Sequence, residues 1–329
     1  MRILVTGGLG TVGTVLVKEL RKRGHEVWSC DLHHNHDRFY VRCDISKFRQ
    51  IQQLISSHRF DYVYHLAAEF GRWNGEDYYE NLWMSNVVGT KNLLRLQETH
   101  RFRMIFFSSS EVYGDWDGIM SESVMEASEV KQLNDYAMTK WVSEIQVMNH
   151  ARMANTESVR VRLFNTYGPG EYYSPYRSVA CRFAYSALHD LPYEVYLNHH
   201  RTSTYVTDTV RTLANMANNF KPGEVYNIGG REYHDIKYLS DLILSYLNKS
   251  DDRVIYKEAE PFTTKDKKID VAKAERDLGH EPLVSLEEGI PRTLEWMKEV
   301  YKETLPCQES PLLFPITTTA GTFEKQLIM

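Results

Sequence analysis

Two short stretches carry most of the chemistry open to this 329-residue chain. The first is Tyr136-Ala-Met-Thr-Lys140, inside a run with helical apolar spacing over 136–153. Side chains four apart on a helix share a face. An ammonium beside a phenol lowers the phenol's pKa, so a tyrosinate here could act as a general base near neutral pH. A surface tyrosine–lysine pair is the other reading of the same five residues. The second stretch is IFFSSSEVYGD, residues 105–115, in which an apolar run ends in Ser108, Ser109 and Ser110 with Glu111 behind them. The run up to Phe107 reads as a buried parallel strand. A carboxylate at the end of such a strand is costly without partners, so Glu111 belongs either to a capped turn or to a site.

These side chains need a frame, and the first half of the chain supplies a regular one. RILVTG (2–7), HEVWSCD (25–31), FYVRCDI (39–45), DYVYHLAA (61–68) and RMIFFSS (103–109) read as strands. Helical spacing separates them over 11–24, 48–59 and 78–100. Repeated strand–helix–strand order predicts an α/β fold with a Rossmann-like, doubly wound parallel sheet. VRVRLFNTYGPG (159–170) runs a further strand into a turn. Beyond about residue 170 the pattern loosens, with strands expected at 201–208 and 223–230 and helices at 177–190, 235–248 and 285–303. The expected division is a dinucleotide domain over 1–170, to which 201–230 returns, and a smaller substrate-binding lobe over 171–304. The weakly patterned tail at 305–329 is expected to be disordered or draped over a neighbour.

The first strand leads into Gly7, Gly10 and Gly13, with Thr11 and Val12 opening the following helix. Glycines at this spacing permit a tight turn and let the backbone approach a pyrophosphate, which the helix N-terminus then attracts. Asp31 closes the second strand, where a carboxylate accepts hydrogen bonds from the adenosine ribose hydroxyls. Neither Arg nor Lys occurs between Asp31 and Arg38 to hold a 2′-phosphate, so NAD is the expected cofactor. Asp44, followed by Ile45, could contact the adenine amine or cap the helix that begins near Ser46. His33, His34 and His36 have no acidic or thiol partner at ligand spacing and read as a solvated cluster, so no metal is expected.

The formal net charge of −5 gives no reason to expect nucleic acid or an anionic membrane. No apolar run approaches the roughly 20 residues that span a bilayer. MRILVTGG lacks the features of a secretory signal, and the four scattered cysteines fit a reducing cytoplasm.

With these residues in view the chain resembles the extended short-chain dehydrogenase/reductase family, the NAD-dependent nucleotide-sugar epimerases and dehydratases. The resemblance runs from TGGLGTVG (6–13) through HLAA (65–68), NVVGT (86–90), SSSEVYG (108–114), YAMTK (136–140), RLFNTYGPG (162–170) and RTSTYVTD (201–208) to DVAKAERDLGHEP (270–282). It implies that Tyr136 takes the proton from a sugar C4 hydroxyl, that Lys140 tunes Tyr136 and holds the nicotinamide ribose, and that Ser109 bonds the reacting oxygen. It also implies that Leu66, Ala67 and Ala68 line the cofactor and that Asn86 braces the sheet. Asn165, Arg201 and Tyr205 then face a nucleoside-diphosphate sugar. Where relatives carry a diphosphate-binding arginine, this chain offers Lys265, Lys267 or Lys268, a weaker substitute for a bidentate fork. A homodimer is implied, through helices at 78–100 and 136–153 that carry Leu82, Val88, Trp141 and Ile145.

Glu111 separates the reactions that such a trio can start. A 4-keto sugar is acidic at C5, and a positioned carboxylate could remove that proton so that the C6 hydroxyl leaves as water. On this reading the chain is a 4,6-dehydratase with Glu111 as base, Ser110 standing where dTDP-glucose dehydratases carry an aspartate. A 4-epimerase needs no such base. UDP-glucuronate decarboxylases share Ser-Glu-Val-Tyr-Gly-Asp, yet they usually place several cations before the Tyr-x-x-x-Lys motif, and VKQLND (130–135) offers only Lys131. The loop over 69–80 brings Glu69, Arg72 and Trp73 near cofactor and sugar, or packs on its own aromatics. His199 and His200 sit beside the substrate segment. A non-catalytic NAD sensor is the reading from another class, and retention of Tyr136 and Lys140 speaks against it.

Overall fold

The computed structural model describes residues 1–302, so the expected tail at 305–329 lies outside the described residues. Seven parallel strands form the central sheet, in the spatial order Val225–Ile228, Ser158–Leu163, Arg103–Ser109, Tyr62–His65, Arg2–Thr6, Glu26–Asp31 and Tyr40–Arg42. Parallel strands are covered on both faces, which is why Ile3, Leu4, Val5, Val63 and Ile105 are all fully buried. One face packs on the helix Thr11–Lys22 through Leu16 and Leu20. The other takes Ile51, Leu54 and Ile55 of Phe48–Ser57 together with Leu93 and Leu94 of Gly89–His100.

Three stretches depart from the periodicity reading. The helix expected over 78–100 is interrupted by a π turn at Met84–Val88, between Tyr79–Trp83 and Gly89–His100. The wide turn lets Asn86 reach out of the ladder: its Nδ2 donates to Glu69 O and Thr139 Oγ1, both at 3.0 Å. The strand expected over 201–208 stops at Tyr205, and Val206–Asn215 is a helix whose Val206, Val210 and Leu213 pack beneath the main sheet. The short strand Lys268–Ile269 pairs with Ile119–Met120, so the chain near residue 267 returns to the strand end that carries Glu111.

The smaller lobe has its own core. Val179–Leu188, Ile236–Leu247 and Leu286–Val300 bury Phe183, Leu239, Ile243, Ile290 and Leu294 against Tyr193–Tyr196. Asn165–Tyr167, His200–Tyr205 and Tyr233–Asp235 form a three-stranded sheet at the junction with the larger one. Leu82 is fully buried within its own chain, which removes it from the surface on which a homodimer was expected; Val88 and Ile145 are exposed.

Candidate active site

A cleft of about 610 Å³ runs between the sheet's C-terminal edge and the smaller lobe. Its floor is the glycine turn. Gly7 has φ +70°, and a Cβ on it would lie 2.8 Å from Ala67 N. A Cβ on Gly13 would sit 2.1 Å from Gly7 O, so the helix can come this close to the strand only with hydrogen at that position. Gly10, Thr11, Val12, Ile45, Leu66, Ala67 and Ala68 line the same end. Asp31 stands at its mouth and accepts from Leu9 N at 3.0 Å and Leu32 N at 2.7 Å. Asp44 lines the cleft and accepts from Ser46 N at 2.9 Å in the turn before the helix, which starts at Phe48 with Lys47 at its cap position, so Asp44 does not cap it. The backbone cradle, the helix N-terminus and the Asp31 carboxylate together fit an adenine dinucleotide.

The strand Arg103–Ser109 and the helix Asp135–Ala154 meet at the centre of the cleft. Ser109 caps the following 3-10 turn, accepting from Glu111 N at 3.2 Å, and lines the cleft beside Tyr136. Lys140 is buried and donates from Nζ to Phe107 O at 2.9 Å, with Nζ 5.9 Å from the Tyr136 ring centroid. Burial pushes the Tyr136 phenol up to about 12, and the Ser109 hydrogen bond opposes the shift. The helical spacing suggested a phenol lowered by Lys140. The protein brings the pair onto one face, but the ammonium bonds a backbone carbonyl, and burial sets the phenol's shift. Burial also lowers Lys140 to about 7, with Glu144 opposing. Asn134 starts the helix: its Oδ1 accepts from Ala137 N at 2.8 Å, which fixes the turn that presents Tyr136.

Beyond the trio the cleft is ionic. Glu111 is paired with Lys267, the member of the 265–268 group that enters the site; Lys265 contributes a backbone carbonyl, and Lys268 is exposed. Burial acts to raise Glu111, but Lys267 and Arg72 outweigh it and hold the carboxyl near pH 2, ionised at neutrality. A carboxylate this acidic and already paired is a weak proton acceptor, which counts against the C5-base role expected for Glu111. Ser110 lies beside it, buried on the cleft wall.

Arg201 is almost fully buried and donates from Nη1 to His200 O at 2.8 Å and Lys265 O at 2.6 Å. Arg72 arrives from the 69–80 loop and Glu260 from the opposite lobe, and both line the cleft. Glu69 also lines it, accepting from Asn74 Nδ2 at 3.0 Å, and Asn165 completes this wall. Tyr205 does not. It lies in the smaller lobe's core, its ring 5.7 Å edge-on to Tyr167, because the segment turns into a helix one residue later. Lys131 is exposed and does not line the cleft; its backbone N donates to Asp115 Oδ1 at 2.8 Å. His199 lines the cleft, while His200 stacks on Tyr233 and bonds Asp266 at 2.8 Å.

Sequence reasoning missed the far end, where Arg177 and Arg182 line the cleft around Glu171. Glu171 takes two hydrogen bonds from Ser178, and Arg177 lies over the Phe70 ring at 4.4 Å. No spacing marks these residues; the Tyr- and Pro-rich run EYYSPYRS was their only signal.

Fold and site together define a dinucleotide-binding oxidoreductase-type centre joined to a pocket rich in guanidinium and ammonium groups. The model of the NAD dependent epimerase/dehydratase family matches residues 3–229, and the chain belongs to that family. The chain is 29% identical over 318 residues to the UDP-N-acetyl-alpha-D-glucosaminuronate decarboxylase of Bacillus cytotoxicus, covering 91% of this chain and 98% of that one. It is 25% identical to the dTDP-glucose 4,6-dehydratase of Salmonella typhimurium, over 90% of this chain and 92% of the relative. Among solved structures, the UDP-glucuronic acid 4-epimerase of Bacillus cereus, in complex with UDP-glucuronic acid and NAD, superposes with a TM-score of 0.82 at 26% identity. That match covers 92% of this chain and all of the other.

Proposed function

We propose that this chain is an NAD-dependent decarboxylase of a nucleotide-linked uronic acid, acting through a transient 4-keto sugar. One observation carries the choice: Glu111 is locked to Lys267 among Arg72 and Arg201, so the sugar end holds convergent cations rather than a free base. The 4,6-dehydratase reading needs a carboxylate able to take the C5 proton. A 4-keto uronate is a β-keto acid and needs none.

Gly7, Gly10, Gly13, Asp31, Ala67 and Ala68 would hold the cofactor. Bound NAD supplies a hydride acceptor and returns the hydride after carbon dioxide has left. Tyr136, whose buried phenol is protonated at rest, passes its own proton to the partly neutral amine of Lys140 and takes the C4 hydroxyl proton in its place, while Ser109 holds the reacting oxygen. Lys140, poised near neutral pKa, exchanges protons with Tyr136 as that oxygen changes charge. The C5–carboxylate bond then breaks, its electron pair passing into an enolate whose oxygen faces Ser109 and Tyr136. Carbon dioxide leaves, and a proton returns to C5.

The Bacillus cytotoxicus relative supports this reading through its own printed activity. The second reading, 4,6-dehydration, is favoured by the position of Glu111 on the cleft wall two residues from Ser109. Incubation with NAD and UDP-glucuronic acid or UDP-glucose, followed by product mass, separates them. Loss of carbon dioxide is expected, loss of water from the hexose would establish the dehydratase, and unchanged mass with altered stereochemistry would establish an epimerase.

A further inference from the structure

Behind the cleft the helix Asp135–Ala154 carries a second charged side chain that the sugar never meets. Glu144 lies one turn after Lys140, on the same face, and is completely buried. A lone carboxylate there would be costly, and the strand Ser158–Leu163 answers it. Arg162, only 1% exposed, forks onto both oxygens, Nε to Oε1 and Nη2 to Oε2, each at 2.9 Å. Arg160 reaches Oε2 from Nη1 at 3.4 Å. The fork is also held from behind. Arg162 Nη1 donates to the Tyr113 hydroxyl at 3.0 Å and to Glu122 O at 3.1 Å, and that hydroxyl donates to Asn227 Oδ1 at 2.7 Å. Tyr113 closes the turn Ser110–Tyr113 that carries Glu111, so one buried cross-link braces both the lysine's helix and that turn.

One carboxylate thus serves two guanidiniums and also acts on Lys140. A guanidinium keeps its charge in a protein, so Lys140 is the member of the cluster that can give up its own. The other groups around Lys140 leave this balance undisturbed. His65 faces it from the strand Tyr62–His65, but burial keeps that imidazole neutral, bonded to Thr6 and Thr90. Beside Lys140 the strand Arg103–Ser109 offers the Phe107 carbonyl and the Phe106 ring. Glu111 acts on Tyr136 and is paired with Lys267, and Arg72 of the helix Arg72–Asp77 is tied to Glu260. Lys91 and Glu98 of Gly89–His100 face His150, farther along the lysine's helix. We propose that the buried Glu144–Arg162 pair is a positioning device for the proton relay: Glu144 keeps the Lys140 ammonium accessible at neutral pH, and Arg162 limits that hold so that the amine can accept the Tyr136 proton. The inference rests on the exchange between Tyr136 and Lys140 set out above, and not on which reaction follows it. Without Glu144, burial strips the proton from Lys140; without Arg162, a bare carboxylate fixes it there.

Two titrations test this on NAD-loaded wild type, Glu144→Gln and Arg162→Gln. The first is carbon-13 NMR of protein labelled at lysine Cε, the Lys140 resonance being the one absent from Lys140→Arg. The second is the pH dependence of turnover of UDP-glucuronic acid, whose acid limb rises as Lys140 becomes a neutral acceptor. Glu144→Gln is expected to move both midpoints down by about one pH unit, and Arg162→Gln to move both up. Loss of a merely structural pair lowers the rate without opposite shifts. If a single variant does not fold, the double variant Glu144→Gln with Arg162→Gln decides, since it leaves no buried charge unpaired. Its Lys140 midpoint is expected below wild type, because the carboxylate one turn away is lost. A Lys140 resonance that titrates alike in all the folded proteins, or shifts the same way in both single variants, overturns the proposal. Opposite NMR shifts with an unmoved acid limb remove Lys140 as the acceptor for Tyr136 and leave the pair's hold on Lys140 standing. Where no turnover is seen, the NMR titration alone decides.

Discussion

The two ends of the cleft are built on opposite plans. The cofactor end is made of backbone: a glycine turn, a helix N-terminus and two alanines, with a single carboxylate at the mouth. Its parts come from the first four strands of the chain and their turns. The sugar end is made of charged side chains drawn from residues 72, 111, 201, 260 and 267, and each is held by another. A backbone cradle tolerates few side chains at its contact points but asks little of the rest of the protein. A charged cluster is only as good as its balance, and losing one member leaves another buried and unpaired.

That contrast can be broken experimentally, and the largest effect lies where the two ends meet. Tyr136→Phe keeps the ring but removes the proton acceptor, and turnover of any nucleotide sugar is expected to fall about 10²- to 10⁴-fold with the fold intact. Steady-state rates check this, and near-wild-type turnover would refute the enzyme reading altogether.

Gly13→Ala probes the backbone plan. Its Cβ would meet Gly7 O at 2.1 Å, so the helix must move, at a loss of about 3 kcal/mol of stability with weaker NAD binding. Urea unfolding with and without NAD measures both; an unchanged midpoint would mean that the turn is not as tight as described.

Glu111→Gln probes the charged plan and is expected to cost about 2 kcal/mol at neutral pH by leaving Lys267 uncompensated. The folded-state pKa of Glu111 is depressed from 4.5 to about 2, so its contribution is complete above pH 4.5 and is lost as pH falls toward 2. The stability gap between wild type and variant should therefore close across that acid window. A gap independent of pH there would show that the carboxylate's charge is not what holds the pair.

Legibility followed the same division. Gly7, Gly10, Gly13 and Asp31 were readable because a phosphate cradle is a local device, made by a strand, a turn and a helix within thirty-odd residues. Ser109, Tyr136 and Lys140 were readable as a set through a known family order, and they do meet in the cleft. The state of the phenol was not readable, since burial, which raises it, is a property of packing and not of chain order. Tyr205 was misplaced because the strand that carries it ends early, and its register then turns the ring into the smaller lobe's core. Arg72, Arg201 and Lys267 were each named from the sequence, but that they converge on Glu111 and Glu260 was not readable, since they come from a loop, a strand edge and a short strand pairing far along the chain.

By itself, then, the sequence determined the doubly wound sheet and the glycine turn, because apolar periodicity and glycine spacing act over a few residues, while the family resemblance named Ser109, Tyr136 and Lys140, which line one cleft. Only the tertiary structure decided what Glu111 is. The pairing of Lys268–Ile269 with Ile119–Met120 carries Lys267 to it, and the crossing of Arg72 to Glu260 sets the charge around it. A carboxylate's strength as a base depends on the charges within a few ångströms, and chain order does not encode that distance.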